Sequence, residues 1–302
     1  MARSSSAQAQ TIVVGGKRIH VTSLDKVMYP STGTTKADIL DYYTRIAEVF
    51  IRYAHDRPAT RKRWVDGVGT AQKPGEFFFQ KDLGESAPAW VQRRTIKHKE
   101  RTNEYPLVNN AATLAWLAQI SALEIHVPQW QFNRRGDPRK PDRLVLDLDP
   151  GDGIGLPECA EVARAAAAIL DDKKMACFPV TSGSKGIHLY APLDGKRTSD
   201  EVSDIANELA RALVADLPDL VVSDMKRALR PGKVFVDWSQ NRASKTTIAP
   251  YSLRGRLRPT VAAPRTWAEL ESPTLAQLEF GEVLERAEGG NDPLASLIRT
   301  SP

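Results

Sequence analysis

The sequence predicts an α+β fold in which mixed, antiparallel-rich sheets are flanked by helices. Three observations predict it: a hairpin pattern around Gly15 and Gly16, apolar residues at helical spacing in several segments, and alternation of leucines with Val145 and two acids over residues 143–150. A period of two is typical of a strand, and a period near 3.6 is typical of a helix. Neither internal repeats nor a Ser/Pro-rich linker divides the 302 residues, so we expect one compact domain.

The two ends of the chain are predicted to be polar extensions of this domain. Residues 1–10 are predicted to be a disordered lead, residues 11–285 the domain, and residues 286–302 a polar tail. No run of about eighteen apolar residues occurs, and the first residues lack the apolar core of a secretory signal. Cys159 and Cys177 have no partners at ligand spacing, so they provide neither a disulfide framework nor a zinc site. These features predict a cytoplasmic protein with no membrane partner.

The predicted elements alternate between strands and helices. Apolar spacing predicts one amphipathic helix over residues 36–52 with Thr35 as its N-cap, and a polar, basic composition predicts an exposed loop over residues 92–106. The same rules predict, in chain order, a hairpin at 11–22, a strand at 76–81, a helix at 113–120, a strand at 122–127, a helix at 157–171, a strand at 187–191, a helix at 200–215, a strand at 234–238 and a helix at Trp267.

Two acids near the end of the 143–150 strand form the first candidate site. Residues two apart on a strand share a face, so the carboxylates of Asp147 and Asp149 lie side by side just before a Pro-Gly pair ends the strand. Like charges this close repel unless they are neutralised, and Mg²⁺ and Mn²⁺ are hard cations that bind carboxylate oxygens. Taken alone, such a pair is more often a solvated strand end. A third acid, Asp237, repeats the pattern near the end of a second apolar strand.

A loop rich in glycine and serine supplies candidate phosphate donors. In Thr181–Ala191, Gly183 and Gly186 allow the backbone to approach a ligand closely, and Ser182 and Lys185 carry suitable donors. The Walker pattern G-x-x-x-x-G-K is absent from the loop. The strand that follows presents His188. His126 lies on another predicted strand with Glu124, where a lone histidine is more often a satisfied core residue than a ligand.

Basic and aromatic clusters favour a phosphate-rich substrate. The chain has 42 Lys and Arg residues against 37 acids, a net charge of +5, and many of the cations occur in short runs. Lys26 and Lys36 flank a predicted helix start, where free N–H groups favour an anion, although two surface lysines would give the same pattern. Three successive aromatics at 77–79 cannot all face one core, so one of them could stack a base. An ordinary core strand is the alternative.

Together these features predict metal-assisted phosphoryl chemistry. Two metal ions bridged by the aspartates would lower the pKa of a 3′-hydroxyl and stabilise charge on a leaving pyrophosphate. Lys185, His188 and Arg254 would hold a triphosphate by charge-assisted hydrogen bonds. Hydrolysis by a nuclease or a phosphatase is the alternative within the same chemistry.

Three ordered motifs resemble those of the archaeo-eukaryotic primase superfamily. They are D-L-D-P at 147–150, S-G-S-K-G-I-H at 182–188 and F-V-D-W-S-Q-N at 235–241. The flanking segments T-S-L-D-K-V-M-Y-P, R-P-A-T-R-K-R, F-F-Q-K, E-I-H-V-P-Q-W and A-P-Y-S-L-R-G-R are similar to the polymerase domain of bacterial DNA ligase D, from about residue 20 to 280. The resemblance implies an archaeo-eukaryotic primase-like catalytic core at 141–260, preceded at 11–140 by a part that binds DNA and its 5′-phosphate.

The resemblance also implies roles for individual residues. The implied metal ligands and catalytic residues are Asp147, Asp149 and Asp237. The residues that would line the nucleotide site are Ser182, Lys185, His188, His126, Lys62, Gln240 and Arg254. Lys26 and Lys36 would bind the 5′-phosphate at a gap or a recessed end, although Ser23 stands where the family commonly has Asn. The residues that would pack on the template are Phe78 and Phe79. Residues 224–233, with Lys226 and Arg230, would be a mobile basic loop that helps to bring primer ends together.

The implied function is template-directed, metal-dependent nucleotidyl transfer that fills gaps and extends 3′-OH ends in bacterial non-homologous end joining. The resemblance implies two divalent metal ions, Mn²⁺ in preference to Mg²⁺, and NTP or dNTP substrates with ribonucleotides preferred. The implied partners are gapped, recessed or broken DNA, Ku and a DNA ligase, in the bacterial nucleoid. A primase that needs no primer and a non-catalytic module that bridges DNA ends are the alternatives. A K-x-D-G adenylation motif and a nuclease module are absent from the sequence, so we expect a stand-alone relative or an excised domain, with the polar start slightly favouring the former.

Overall fold

The computed structural model describes residues 9–298. Its strands are β1 (Gln10–Val14), β2 (Lys17–Val21), β3 (Val27–Tyr29), β4 (Thr34–Thr35), β5 (Thr60–Arg63), β6 (Phe78–Gln80), β7 (Arg93–Lys97), β8 (Thr102–Pro106), β9 (Ala122–Val127), β10 (Arg143–Pro150), β11 (Phe178–Thr181), β12 (Ile187–Pro192), β13 (Val221–Val222), β14 (Val234–Asp237), β15 (Thr247–Ile248) and β16 (Ala263–Pro264). Its helices are α1 (Lys36–Arg45), α2 (Ala47–Ala54), α3 (Ala111–Gln119), α4 (Leu156–Asp172), α5 (Ser199–Asp216), α6 (Trp267–Leu270) and α7 (Phe280–Glu288). Short 3₁₀ turns cover Arg227–Leu229, Trp238–Asn241 and Ala295–Leu297.

Two larger sheets form the centre of the molecule. The six-stranded sheet has the order β13-β14-β10-β12-β11-β16, and only its β13–β14 pair is parallel. The four-stranded sheet has the order β15-β9-β5-β6 and is antiparallel throughout. The pairs β1–β2, β3–β4 and β7–β8 form separate two-stranded sheets. The predicted α+β class with antiparallel-rich sheets is confirmed.

Strand β10 separates two apolar cores. Leu144, Leu146 and Leu148 pack with α4 and α5 on one side of the six-stranded sheet. Val145, on the opposite face, belongs to a core built from α1, α2, α3 and the four-stranded sheet. Successive strand residues point to opposite faces, so Asp147 and Asp149 follow Val145 on the face that looks toward the second sheet. The leucines hold β10 against the helices and leave the acids facing the space between the sheets.

Several local predictions are confirmed. The chain turns between β1 and β2 at Gly15 and Gly16, which both have positive φ, as a two-residue hairpin turn of type I′ requires. Thr35 caps α1: its side chain accepts a hydrogen bond from the Asp38 amide, and the Asp38 carboxylate accepts one from the Thr35 amide.

Two element predictions are wrong. The expected single helix over 36–52 is two helices, because the backbone departs from regular helical geometry at Ile46, where ψ is −5°. The expected loop over 92–106 is the hairpin β7–β8, in which Asn103 and Tyr105 are buried on one face. Its inward residues are partly polar, so apolar alternation did not reveal it.

The prediction of a polar tail from residue 286 is also wrong as far as residue 298. This segment completes α7 and then buries Leu294 and Leu297 in the first core. At the other end, Gln10 already belongs to β1, and residues 1–8 of the predicted lead lie outside the described residues. Among residues 9–298 the structure contains no helix with the length and apolarity needed to traverse a membrane.

Candidate active site

The pairing of three strands brings the predicted catalytic acids together. On the central strand β10, Asp147 lies directly opposite Asp237 of β14 on one side and His188 of β12 on the other. Directly opposed residues of antiparallel strands share a face, so all three side chains point the same way. The Nε2 atom of His188 is 3.1 Å from Oδ1 of Asp147. Asp149, two residues further along β10, extends the row on the same face.

The electrostatics of this row show an excess of negative charge. The charge of Asp147, followed by burial and by Asp237, raises the pKa of Asp149 to about 7, although His188 and Arg230 act in the opposite direction. The Asp237 carboxylate accepts hydrogen bonds from the Ser239 amide and hydroxyl and, at 2.8 Å, from Nε2 of Gln240.

Within residues 9–298, no group of three or more His, Cys, Asp or Glu side chains is already arranged around a metal position. The donor chemistry nevertheless fits a divalent cation, because carboxylates that raise one another's pKa are stabilised when a positive ion is placed between them.

The Gly-Ser-Lys loop lies on the end of β10. The Ser182 hydroxyl accepts hydrogen bonds from the amides of Ser184 and Gly186, which holds the loop in a tight turn. A Cβ atom at Gly186 would lie 1.9 Å from the Leu148 carbonyl oxygen, so only glycine allows this approach. Lys185, between these glycine and serine residues, is exposed and free to reach a ligand. The loop therefore presents donors beside the acids.

Arg254 connects this loop to the four-stranded sheet. Its Cγ atom is so close to Gly183 that a Cβ there would lie 2.6 Å away. Its Nε atom is 3.6 Å from Oε1 of Glu124, on β9. Ser182, Lys185, His188 and Arg254, four of the residues predicted to hold a nucleotide, therefore lie in one neighbourhood with the acids.

Glu124 is a site residue to which the sequence analysis gave no role. This carboxylate is 2% exposed and contacts His126 at 2.8 Å, Lys62 at 3.6 Å and the Gly255 amide at 3.1 Å. Burial alone would raise the pKa of Glu124, but the hydrogen bond from His126 and the charge of Arg254 outweigh it and hold that pKa well below its usual range. Burial lowers the pKa of His126, which favours a neutral ring that donates to Glu124. The sequence signal available for Glu124 was the alternation E-I-H, which places Glu124 and His126 on the same face of a strand.

The three consecutive phenylalanines are exposed, as a stacking surface requires. Phe77, Phe78 and Phe79 are 52%, 56% and 53% exposed, so the alternative of an ordinary core strand does not apply. They lie on or next to β6, the edge strand of the four-stranded sheet. The Lys62 ammonium lies 4.4 Å from the centre of the Phe77 ring, which places this surface next to the Glu124 cluster.

Lys26 and Lys36 form a second cationic cluster with Arg63. Lys36 is buried, and its ammonium donates to the Thr22 carbonyl at 3.0 Å. Burial, and then the charges of Lys26 and Arg63, lower the pKa of Lys36 to about 8. The Lys26 ammonium contacts Asp66 at 2.8 Å. The alternative that both residues are ordinary surface lysines is therefore wrong for Lys36.

The basic segment 224–233 lies against the acidic row. The Arg230 guanidinium stacks on Phe235 at 3.6 Å, and Phe235 is the strand partner of Asp149. Lys226 is exposed at the start of the 3₁₀ turn. Mobility of this segment remains a prediction.

Arg256 and Gln277 are further site residues that the sequence analysis did not assign. Burial and then the charge of Arg254 lower the pKa of Arg256. The charges of Glu124 and Asp149 act in the opposite direction, so Arg256 lies near both the Glu124 cluster and the acidic row. Gln277 accepts from the Gly183 amide at 2.6 Å and donates to the Gly186 carbonyl at 3.2 Å. The repeated arginines of R-G-R were the available signal for Arg256, whereas Gln277 is distant in sequence and had none.

Comparisons with known proteins show which family this chain resembles. The sequence profile of the LigD primase-polymerase domain matches residues 35–294. The multifunctional non-homologous end joining DNA repair protein LigD of Mycobacterium tuberculosis is 52% identical over 291 residues, which cover 95% of this chain and 38% of that protein. The bifunctional non-homologous end joining protein LigD of Bacillus subtilis is 30% identical over 284 residues, 93% of this chain and 44% of that protein.

A solved structure shows the same fold. The polymerase domain of Mycobacterium tuberculosis ligase D in complex with DNA matches with a TM-score of 0.89 and 52% identity, covering 94% of this chain and 99% of that one. The chain spans 38% of the length of the mycobacterial relatives. The profile match over residues 35–294 and the shared fold show that this chain belongs to the LigD primase-polymerase domain family.

Proposed function

We propose that the protein is a template-directed, divalent-metal-dependent nucleotidyltransferase that fills gaps and extends 3′-OH ends at broken DNA in bacterial non-homologous end joining. The observation that carries this proposal is the strand pairing that sets Asp147 between His188 and Asp237, with Asp149 beside them. A module that only bridges DNA ends would gain nothing from a row of mutually repelling acids, because DNA phosphates are themselves anionic.

Asp147, Asp149 and Asp237 would hold two divalent metal ions, with Mn²⁺ preferred over Mg²⁺. When bound, such ions supply the charge that activates a 3′-hydroxyl and neutralises a leaving pyrophosphate. His188 holds Asp147 in place, and Ser239 and Gln240 orient Asp237.

The neighbouring donors would bind the nucleoside triphosphate, a ribonucleotide in preference. Lys185, within the Ser182–Gly186 turn, and Arg254, packed against Gly183, would offer cations to the phosphates. Glu124 keeps His126 and Lys62 next to the exposed phenylalanines, where they would contact the base and sugar.

The DNA would be bound by the remaining clusters. Lys26 and Lys36 would take the downstream 5′-phosphate, and Phe78 and Phe79 would pack on the template. Lys226 and Arg230 would help to bring primer ends together. Because the relatives are named as end-joining proteins, Ku and a DNA ligase are the proposed partners.

Asp149→Asn tests the proposal. On a gapped duplex with a downstream 5′-phosphate, Mn²⁺ and either ribo- or deoxynucleotides, we expect the wild type to extend the primer. The variant should lose at least a thousandfold in extension rate while its affinity for the same DNA changes less than threefold. Asp172→Asn, an exposed acid at the end of α4, is the matched control and should retain activity.

Three results would contradict the proposal. Undiminished extension by Asp149→Asn would remove this acid from the mechanism. Absence of extension by the wild type with either metal, together with tight DNA binding, would favour the end-bridging module. Efficient synthesis on unprimed template would identify a primase instead.

A further inference from the structure

A cavity of about 410 Å³ lies at the opposite end of β10 from the three aspartates. It is bordered by the start of β10, the loop after β12 and the end of α2. Arg143 begins β10 and Asp149 lies six residues later, so at about 3.3 Å per residue the two ends are roughly 20 Å apart. The volume falls within the roughly 300–1,000 Å³ that small-molecule sites occupy. The cavity is therefore separate from the candidate active site.

Positive charge dominates the lining of this cavity. Its charged side chains are Arg52, Arg57, Arg139, Lys140, Arg143, Asp142 and Asp194. Each acid already faces a cation: Asp142 accepts two hydrogen bonds from Arg57, at 2.6 and 2.8 Å, and Asp194 lies 3.6 Å from Lys196. Among residues 9–298, no carboxylate lies within 4 Å of the charged groups of Arg139, Lys140 or Arg143. The cavity thus has an excess of cations.

Arg143 is the unusual member of this set because it is a buried cation whose hydrogen-bond partners are neutral groups. It is 2% exposed. Its Nε atom donates to Oε1 of Gln129 at 2.7 Å, and its Nη1 atom donates to the Tyr53 carbonyl at 3.1 Å. Its Nη2 atom has no hydrogen-bond partner among the described residues. A buried guanidinium without a counter-charge is costly, and an anion bound beside it would offset that cost.

We propose that this cavity binds the phosphate group of a small molecule, with Arg143 as its buried anchor and Arg139 and Lys140 at its entrance. Arginine favours phosphate because its planar donors match two phosphate oxygens at once. Of the lining cations, Arg52, Arg139 and Lys140 are exposed, and Arg52 is paired with Glu48 at 2.9 Å. That leaves Arg139 and Lys140 as the exposed cations without a carboxylate partner, whereas a DNA backbone is bound by a longer strip of exposed cations. The recessed site therefore fits a free phosphate or the phosphate of a single nucleotide. This inference does not depend on the proposed polymerase activity.

Calorimetric titration with inorganic phosphate, in EDTA so that no metal is present, tests the site. The background variant is Lys26→Ala/Lys185→Ala, which removes cations from the two other proposed phosphate sites. We expect this background to bind one phosphate per chain and the additional change Arg139→Glu to weaken binding at least tenfold. Arg139 is chosen because its side chain is exposed, whereas replacing Arg143 would also test folding.

Arg134→Glu, on the same turn but outside the cavity, is the matched control and should change the affinity less than twofold. Failure of the background variant to bind, or equal binding with Arg139→Glu, would overturn the proposal. If adenosine monophosphate binds more tightly than inorganic phosphate, the ligand of the cavity is a nucleotide. If the two bind with equal affinity, the ligand is free phosphate. A dinucleotide phosphodiester that binds as tightly as either would contradict the small-molecule assignment.

Discussion

The Glu124 carboxylate organises much of the candidate nucleotide site. It receives a hydrogen bond from His126 and faces Lys62 and Arg254, three side chains from three different segments. Glu124, which is itself buried, holds each of them near the Gly-Ser-Lys loop or the exposed phenylalanines. Glu124 therefore acts as a positioning residue, because it contacts three side chains and the Gly255 amide and not the reacting atoms.

Replacing Glu124 by glutamine should expose this role. The change keeps the shape but removes the charge, so Lys62 and Arg254 lose their buried counter-ion. We expect the nucleotide KM to rise about tenfold with a smaller change in kcat, and the free energy of unfolding to fall by about 3 kcal/mol. Steady-state extension kinetics and urea denaturation measure the two effects. Glu48→Gln, which breaks only the exposed pair with Arg52, should change stability by less than about 1 kcal/mol. Equal losses in both variants would contradict the assignment.

The acidic row makes metal affinity depend on pH. With its pKa raised to about 7, chiefly by Asp147, Asp149 holds a proton at pH 6 that a metal ion must displace. We therefore expect Mn²⁺ affinity, measured by electron paramagnetic resonance titration, to fall about tenfold between pH 8 and pH 6. The Asp147→Asn change removes the largest cause of the raised Asp149 pKa. In this variant the fall in Mn²⁺ affinity should therefore occur at lower pH, even though the affinity itself is weaker. A pH-independent affinity in the wild type would contradict this electrostatic account.

The same raised pKa also affects folding in the absence of metal. The unfolded chain loses the Asp149 proton near pH 4, whereas the folded chain holds it to about pH 7. The folded state therefore binds more protons in this window, and the contribution of Asp149 to stability declines as pH rises from about 4 to 7.

At the level of strands and loops, the position of the Gly-Ser-Lys loop depends on one close approach. The backbone at Gly186 lies against the carbonyl of Leu148, which stands between the two aspartates of β10. The Gly186 amide also donates to Ser182, so the same residue fixes both the turn and its distance from the acids. The loop and the acids are thus held in register by backbone contact.

Gly186→Ala should disturb this contact. The added methyl group would lie 1.9 Å from the Leu148 oxygen, so the loop must shift, and we expect a loss of about 1–3 kcal/mol in unfolding free energy together with a large loss of extension. Gly281→Ala in α7, where the methyl group meets open space, is the control and should leave stability unchanged or raise it by up to about 1 kcal/mol. Urea denaturation and extension on gapped DNA give the comparison. Full activity of Gly186→Ala would refute the predicted coupling.

Across the whole molecule, the C-terminal segment closes the first core over helix α2. Asp292 accepts hydrogen bonds from the hydroxyls of Tyr53 at 2.6 Å and Tyr251 at 2.7 Å. Burial and the Asp292 charge raise the pKa of both tyrosines, which therefore stay protonated and act as donors. Leu294 and Leu297 then fill the adjoining core. This segment ties together α2 and the part of the chain that carries Arg254.

Asp292→Ala should destabilise the protein by about 2 kcal/mol, because two largely buried hydroxyls lose their acceptor. Urea denaturation measures the change. Glu271→Ala, an exposed acid after α6, is the control and should shift stability by less than about 0.5 kcal/mol. If the two variants unfold at the same urea concentration, Asp292 has no structural role.

Local sequence patterns were sufficient to predict the structure wherever one side chain or one apolar period determines it. The Gly15-Gly16 hairpin, the Thr35 cap and the face shared by Asp147 and Asp149 all follow from neighbouring residues, and the structure has each of them. The ordered motifs also identified the family correctly. These features were predictable because turn chemistry, capping and strand alternation act over only a few residues.

Contacts between distant segments were decided by the tertiary structure alone. The pairing of Asp147 with Asp237, the contacts of Glu124 with Arg254 and Gly255, and the approach of Gln277 to the Gly-Ser-Lys loop join residues that are about 90 or more positions apart. The local period of apolar residues does not determine which strands pair with each other. It also does not determine which polar group will face a buried cation such as Arg143. Packing of the two cores against the six-stranded sheet sets those neighbours, and with them the excess of negative charge at one end of β10 and of positive charge at the other.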